Sequence, residues 1–164
     1  MGLRLWTAAA ILALGLCVAP APARAEQYMR RASLITVGLT LGARFGLGRE
    51  DLTSFVLGAE TSVVSLGNSM VWYGAYADVV YDFGYQATRV TVGPEFGWAY
   101  FGGDGGLAVQ FDREGSQFGF AVRPLMTLGV AAAFLRLEHF PGPDSSPGLA
   151  EVGALLKAPL PLRR

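Results

Sequence analysis

Lysine, histidine and cysteine are almost missing from this chain of 164 residues: Lys157, His139 and Cys17 are the only one of each. So few imidazoles and thiols exclude a His/Cys transition-metal centre and a disulfide framework. Charged residues make up 16% of the chain, against about 25% in an ordinary soluble domain, so little polar surface is on offer to water. Basic and acidic residues balance at 13 each, which removes the electrostatic case for nucleic acid. Beyond residue 25 no apolar run approaches the ~20 residues of a membrane-spanning helix. No Walker-type or dinucleotide glycine pattern leads into a helix, and no cofactor is expected.

The first 25 residues read as a secretory signal. Arg4 supplies the positive region, Leu5 to Ala19 the apolar run, and Ala23-Arg24-Ala25 the small-residue cleavage site. Cleavage after Ala25 removes Cys17, Arg4 and Arg24, and leaves a mature chain with two more acids than bases. The alternative, lipid attachment at Cys17, is disfavoured by the bulky Leu16 before it. Residues 26–31 form a short lead.

What the chain has in quantity is alternation. From residue 32 onward, apolar residues alternate with polar or small ones for about ten residues at a time, the mark of strands with two unlike faces. Ile35, Val37, Leu39, Leu41, Ala43 and Phe45 share one face; Thr36, Gly38, Thr40, Gly42 and Arg44 share the other. The same holds for Val71 to Phe83 and for Arg89 to Trp98. Turn signals divide residues 32–158 into eight segments: 32–45, 53–66, 69–82, 86–101, 106–112, 116–128, 130–140 and 149–158. Six is the alternative count, because the break at Gly129 has little turn character. Gly102 to Gly106 reads as a flexible turn, and residues 159–164 as a tail.

The polar face decides which side of such a barrel is outermost. A soluble barrel shows that face to water and fills it with charge. Here it carries mainly Gly, Ser, Thr and Ala, with charges set singly: Arg44, Glu60, Asp78, Asp82, Arg89, Glu95, Arg123, Arg136, Glu138 and Glu151. Isolated charges of both signs suit a narrow lumen in which they satisfy one another. Asp78, Asp82 and Glu95 are expected opposite Arg44, Arg89 and Arg123. The apolar face places Phe45, Tyr73, Tyr81, Phe96 and Trp98 towards segment ends, as an interfacial girdle requires. The expectation is an all-β, eight-stranded, antiparallel up-and-down transmembrane barrel, monomeric, exported to a bacterial outer membrane. The alternative is a soluble periplasmic lipocalin-like barrel whose apolar face lines a ligand pocket.

In this pattern the chain resembles the small eight-stranded outer-membrane barrels built like the OmpA transmembrane domain or OmpX. The resemblance covers residues 32–158, and it implies fold and location, with membrane lipid and the barrel-insertion machinery as partners. One departure is the end of the chain: such barrels close on an aromatic residue, whereas no aromatic follows Phe140 here.

For chemistry, His139 lies near Asp144, Ser145 and Ser146, the residue types of a hydrolase triad, at a strand end where a lipid substrate could reach. Serines in a Pro/Gly loop have turn chemistry as their plainer role. An eight-stranded barrel is only wide enough for its own side chains, so an open pore is not expected. The reading that remains is a structural or envelope-maintenance barrel without catalysis.

Overall fold

A computed structural model of the chain describes residues 33–47, 53–67, 70–113, 115–141 and 148–161. Alternating residues pair into eight strands: β1 (Ser33–Gly46), β2 (Thr53–Leu66), β3 (Val71–Asp82), β4 (Ala87–Trp98), β5 (Phe101–Phe111), β6 (Ser116–Leu128), β7 (Ala131–His139) and β8 (Leu149–Pro161). Each pairs antiparallel with its sequence neighbour, and β8 returns to β1, so the sheet closes and leaves no edge. Both ends of the described chain lie at the end where β2 meets β3 and where the tight turns 99–100 and 129–130 stand.

The period of two puts alternate residues inside. On β2 the pattern is unbroken from Thr53 to Val64, with every second residue buried and its neighbours exposed. Outside, the exposed positions are apolar: Leu39 is 46% exposed, Val79 48%, Leu107 63% and Phe118 72%. The stretches expected to be a signal and a lead, together with Asp144, Ser145, Ser146 and the last three residues, lie outside the described residues.

The turn after β4 corrects the sequence reading. The glycines from Gly102 to Gly106 are not a turn; they belong to β5, and the chain reverses at Ala99 and Tyr100. Ala99 sits at φ +51°, a conformation that costs a side-chain-bearing residue roughly 1–2 kcal/mol. Neighbouring strand ends hold it there. The Ala99 N–H donates to the Met70 carbonyl at 2.9 Å, and the Thr127 N–H donates to the Tyr100 carbonyl at 2.7 Å. Glycine is needed in the strands on either side instead. A Cβ on Gly97 or on its register partner Gly102 would lie 2.2 and 2.3 Å from the inward Trp72 ring. The break at Gly129 is a turn, with the glycine at φ +69°, where a Cβ would be strained.

At the other end of the sequence β8 runs to Pro161, past the expected limit at residue 158. Its pairing with β7 stops at Leu156, so Pro159 and Pro161 meet only β1 and their missing N–H groups interrupt no second ladder.

Candidate functional site

Ten ionisable positions read from the alternation all lie inside the barrel, none more than 4% exposed. They form two ionic clusters. In the first, Arg44 donates to Asp82 at 3.0 Å, to Glu138 at 2.6 Å and to the Gln110 side chain at 3.1 Å. Arg89 donates to Glu151 at 2.8 Å and pairs with Glu138. Asp82 also accepts the N–H groups of Gly84 and Tyr85, which ties the β3–β4 turn to the lumen.

In the second, Arg123 lies within 2.6 Å of both Glu60 and Asp104. Its guanidinium is 5.1 Å from the Tyr76 ring centroid and 5.4 Å from that of Phe134. Arg136 pairs with Asp78 and stands 3.9 Å from Glu151, which links the two clusters. Lys157 reaches Glu60 at 2.6 Å and Glu95 at 3.2 Å.

Some partners are the expected ones, Arg44 with Asp82 at 3.0 Å and Arg123 with Asp78 at 4.0 Å, and others differ. Glu95 meets Lys157 rather than an arginine, and Arg89 serves Glu138 and Glu151 rather than a β3 acid. Closure of the sheet is the reason: it brings β7 and β8 across the lumen from β3 and β4, which no single strand pattern reveals. Asp104, Gln110, Tyr76 and Lys157 were missing from the sequence-read network. Parity would have found Lys157, which is three steps of two from the inward Glu151, through Gly153 and Leu155. Asp104 was hidden by reading its glycine neighbours as a turn.

Two apolar groups share the lumen with this network. Trp72, Leu125, Ala132, Phe134 and Leu155 pack together towards the tight-turn end. Ala108, Ala121, Phe140 and Leu149 do so at the loop end. Among the described residues no group of three or more His, Cys, Asp or Glu is arranged to hold a metal.

On the outer surface the five expected girdle aromatics are exposed: Phe45 38%, Tyr81 39%, Tyr73 58%, Trp98 63% and Phe96 66%. They fall into two rings. Phe45 and Tyr81 are joined at the loop end by Phe55, Phe83, Phe111 and Phe118, with the Tyr81 and Phe83 rings edge to face at 4.9 Å. Tyr73, Phe96 and Trp98 are joined at the turn end by Tyr100 and Phe101. His139 ends β7 on this outer face, register partner of Phe120. Its companions in the triad reading lie outside the described residues. An apolar groove of about 520 Å³ crosses the same face, between Val92 and Pro94 on one side and Phe120 and Val122 on the other.

A closed eight-stranded up-and-down barrel with a filled ionic lumen and an apolar exterior is the architecture of small outer-membrane barrels. The fold is similar to that of the Yersinia pestis outer-membrane protein Ail in a phospholipid bilayer nanodisc: TM-score 0.52, 13% identity, covering 75% of this chain and 99% of that one. A crystal structure of Ail, the attachment invasion locus protein of Yersinia pestis, aligns at TM-score 0.45 and 14% identity, over 79% of this chain and 99% of that one. No protein-family model and no curated protein sequence matches the chain.

Proposed function

We propose that this protein is a monomeric outer-membrane barrel with a structural or envelope-maintenance role, neither a catalyst nor a pore. The observation that carries the reading is the inversion of polarity: the ionic residues are sealed inside, and the exposed wall between two aromatic rings is apolar. In water such a wall of exposed Val, Leu and Phe would drive aggregation. In a bilayer it is the required surface. A strand of 12 residues such as β4 spans ~40 Å at about 3.3 Å per residue, and a tilt near 40° reduces this to about 30 Å, the thickness of the hydrocarbon core.

Both described ends of the chain lie on one side with the tight turns; in this proposal that side faces the periplasm, and the connections after β1, β3, β5 and β7 face outward. Those connections are short, which leaves little surface for recognition of a large partner. The ionic clusters and the two apolar groups fill the lumen, which supports a role for the barrel wall rather than for a passage through it. Export through the secretory pathway and assembly by the barrel-insertion machinery complete the proposal.

The test is fractionation combined with heat modifiability. Expression in a Gram-negative host should put the protein in the outer-membrane fraction, in a band whose migration shifts on boiling. Recovery from the soluble periplasm without detergent would overturn the reading.

A further inference from the structure

The second ionic cluster does not balance. Four carboxylates, Glu60, Asp78, Glu95 and Asp104, share three cations, Arg123, Arg136 and Lys157. Glu138, Glu151 and Asp82 outnumber Arg44 and Arg89 in the neighbouring cluster, so no positive charge is left over there. An uncompensated charge away from water is among the costliest arrangements in a protein.

The deficit has a location. Glu95 and Asp104 are register partners on β4 and β5, both facing inward, 1% and 5% exposed. Directly opposed side chains stand about 5 Å apart at Cβ, and like charges there repel. Each carboxylate spends one oxygen on a cation: Glu95 Oε2 on Lys157, Asp104 Oδ2 on Arg123. The other oxygens, Glu95 Oε1 and Asp104 Oδ1, have no hydrogen-bond partner among the protein groups.

A third oxygen belongs to the same place. The Tyr76 hydroxyl is buried, with the residue 2% exposed, and it too has no partner. The Tyr76 ring centroid lies 5.1 Å from the guanidinium of Arg123, the residue that holds Asp104. Tyr76 pairs with Gly93, and Glu95 with Gly74, so on β3 and β4 the tyrosine and the glutamate are diagonal neighbours. A neutral tyrosine can donate only one hydrogen bond, which leaves at least one carboxylate oxygen bare.

We propose that Glu95, Asp104 and Tyr76 bind one monovalent alkali cation inside the barrel. Two carboxylate oxygens and a phenol oxygen offer the hard, all-oxygen environment such an ion takes. A single positive charge is what this cluster lacks on its own account, the neighbouring cluster being one short as well. The ion also separates the opposed carboxylates of β4 and β5, so it fastens the two strands beside the Ala99–Tyr100 turn. The proposal concerns the lumen alone and holds wherever the barrel resides.

The test is thermal unfolding of the mature barrel in a zwitterionic detergent, in sodium or potassium chloride against choline chloride at equal ionic strength. Because the ion binds the folded state only, the melting temperature should climb by a few degrees per tenfold rise in the small cation, and choline should give no such climb. Glu95→Gln removes the excess charge, and its melting temperature should be the same in all three salts. Tyr76→Phe keeps the ring against Arg123 and should shift the cation response to severalfold higher concentration. A wild-type melting temperature that ignores the cation overturns the proposal. So does one that follows pH but not cation, which would make a proton the missing charge. Should Glu95→Gln fail to fold, sodium-23 line broadening by the wild type, competed by potassium, decides the matter in its place; no broadening overturns the site.

Discussion

Replacing Arg89 by alanine removes a guanidinium that is 2% exposed and bridges two carboxylates, Glu138 and Glu151. Breaking a buried pair from one side costs about 3–5 kcal/mol, because the remaining charge stays buried without its partner. Here the cost belongs at the lower end, about 3 kcal/mol. Glu138 keeps Arg44 at 2.6 Å, and Glu151 keeps Arg136 at 3.9 Å. With about 2–4 °C per kcal/mol for a chain of this size, the melting temperature should fall by roughly 6–12 °C.

Arg123→Ala provides the internal comparison. Among the described residues Asp104 forms an ion pair with Arg123 alone, and the Tyr76 ring loses the guanidinium beside it. Its cost belongs at the upper end, about 5 kcal/mol. The assay is the fraction of heat-shifted band remaining after incubation of the detergent-folded barrel at rising temperature. Replacing Glu138 by glutamine in the Arg89→Ala chain should return part of the loss, since the orphaned charge goes with it. An unchanged melting temperature for Arg89→Ala, or a milder effect from Arg123→Ala, would refute the ion-pair reasoning.

Two further outcomes test the outer wall and the packing of the lumen. Leu39→Arg, at the middle of β1 on the exposed face, should destabilise insertion into phosphatidylcholine vesicles by about 2–4 kcal/mol; refolding titrations would read it, and a neutral result would indicate that this face meets water. Gly97→Leu should block folding, since a Cβ there would lie 2.2 Å from the Trp72 ring and 2.6 Å from the Phe101 carbonyl oxygen; loss of the heat-shifted band would show it, and a retained band would refute the packing.

Strand number, face and closure were legible because a period of two survives in sequence: Arg44, Arg89, Arg123 and Arg136 could be assigned inward from their neighbours alone. The girdle was legible for the same reason, since Tyr73 and Trp98 keep the parity of the apolar face. The turn at Ala99 was not legible. Neither Ala99 nor Tyr100 carries a turn signal, and five residues from Gly102 to Gly106 carry a false one. Gly102 answers to Trp72, a side chain from a different hairpin, Gly106 to the Val92 carbonyl on β4, and the aspartate between them to Arg123 on the next strand. Local preference yields here to contacts that exist only after the sheet has closed.

The amino-acid sequence by itself determined the alternation, and with it the eight strands and the sign of each face, because side-chain direction along a strand depends on nothing but position. Which acid meets which base was decided only by the tertiary structure. The register of closure between β8 and β1 sets how far each strand is displaced along its neighbours. That displacement brings Lys157 to Glu95 and Arg89 to Glu151, whereas the register of the β4–β5 hairpin sets Glu95 beside Asp104.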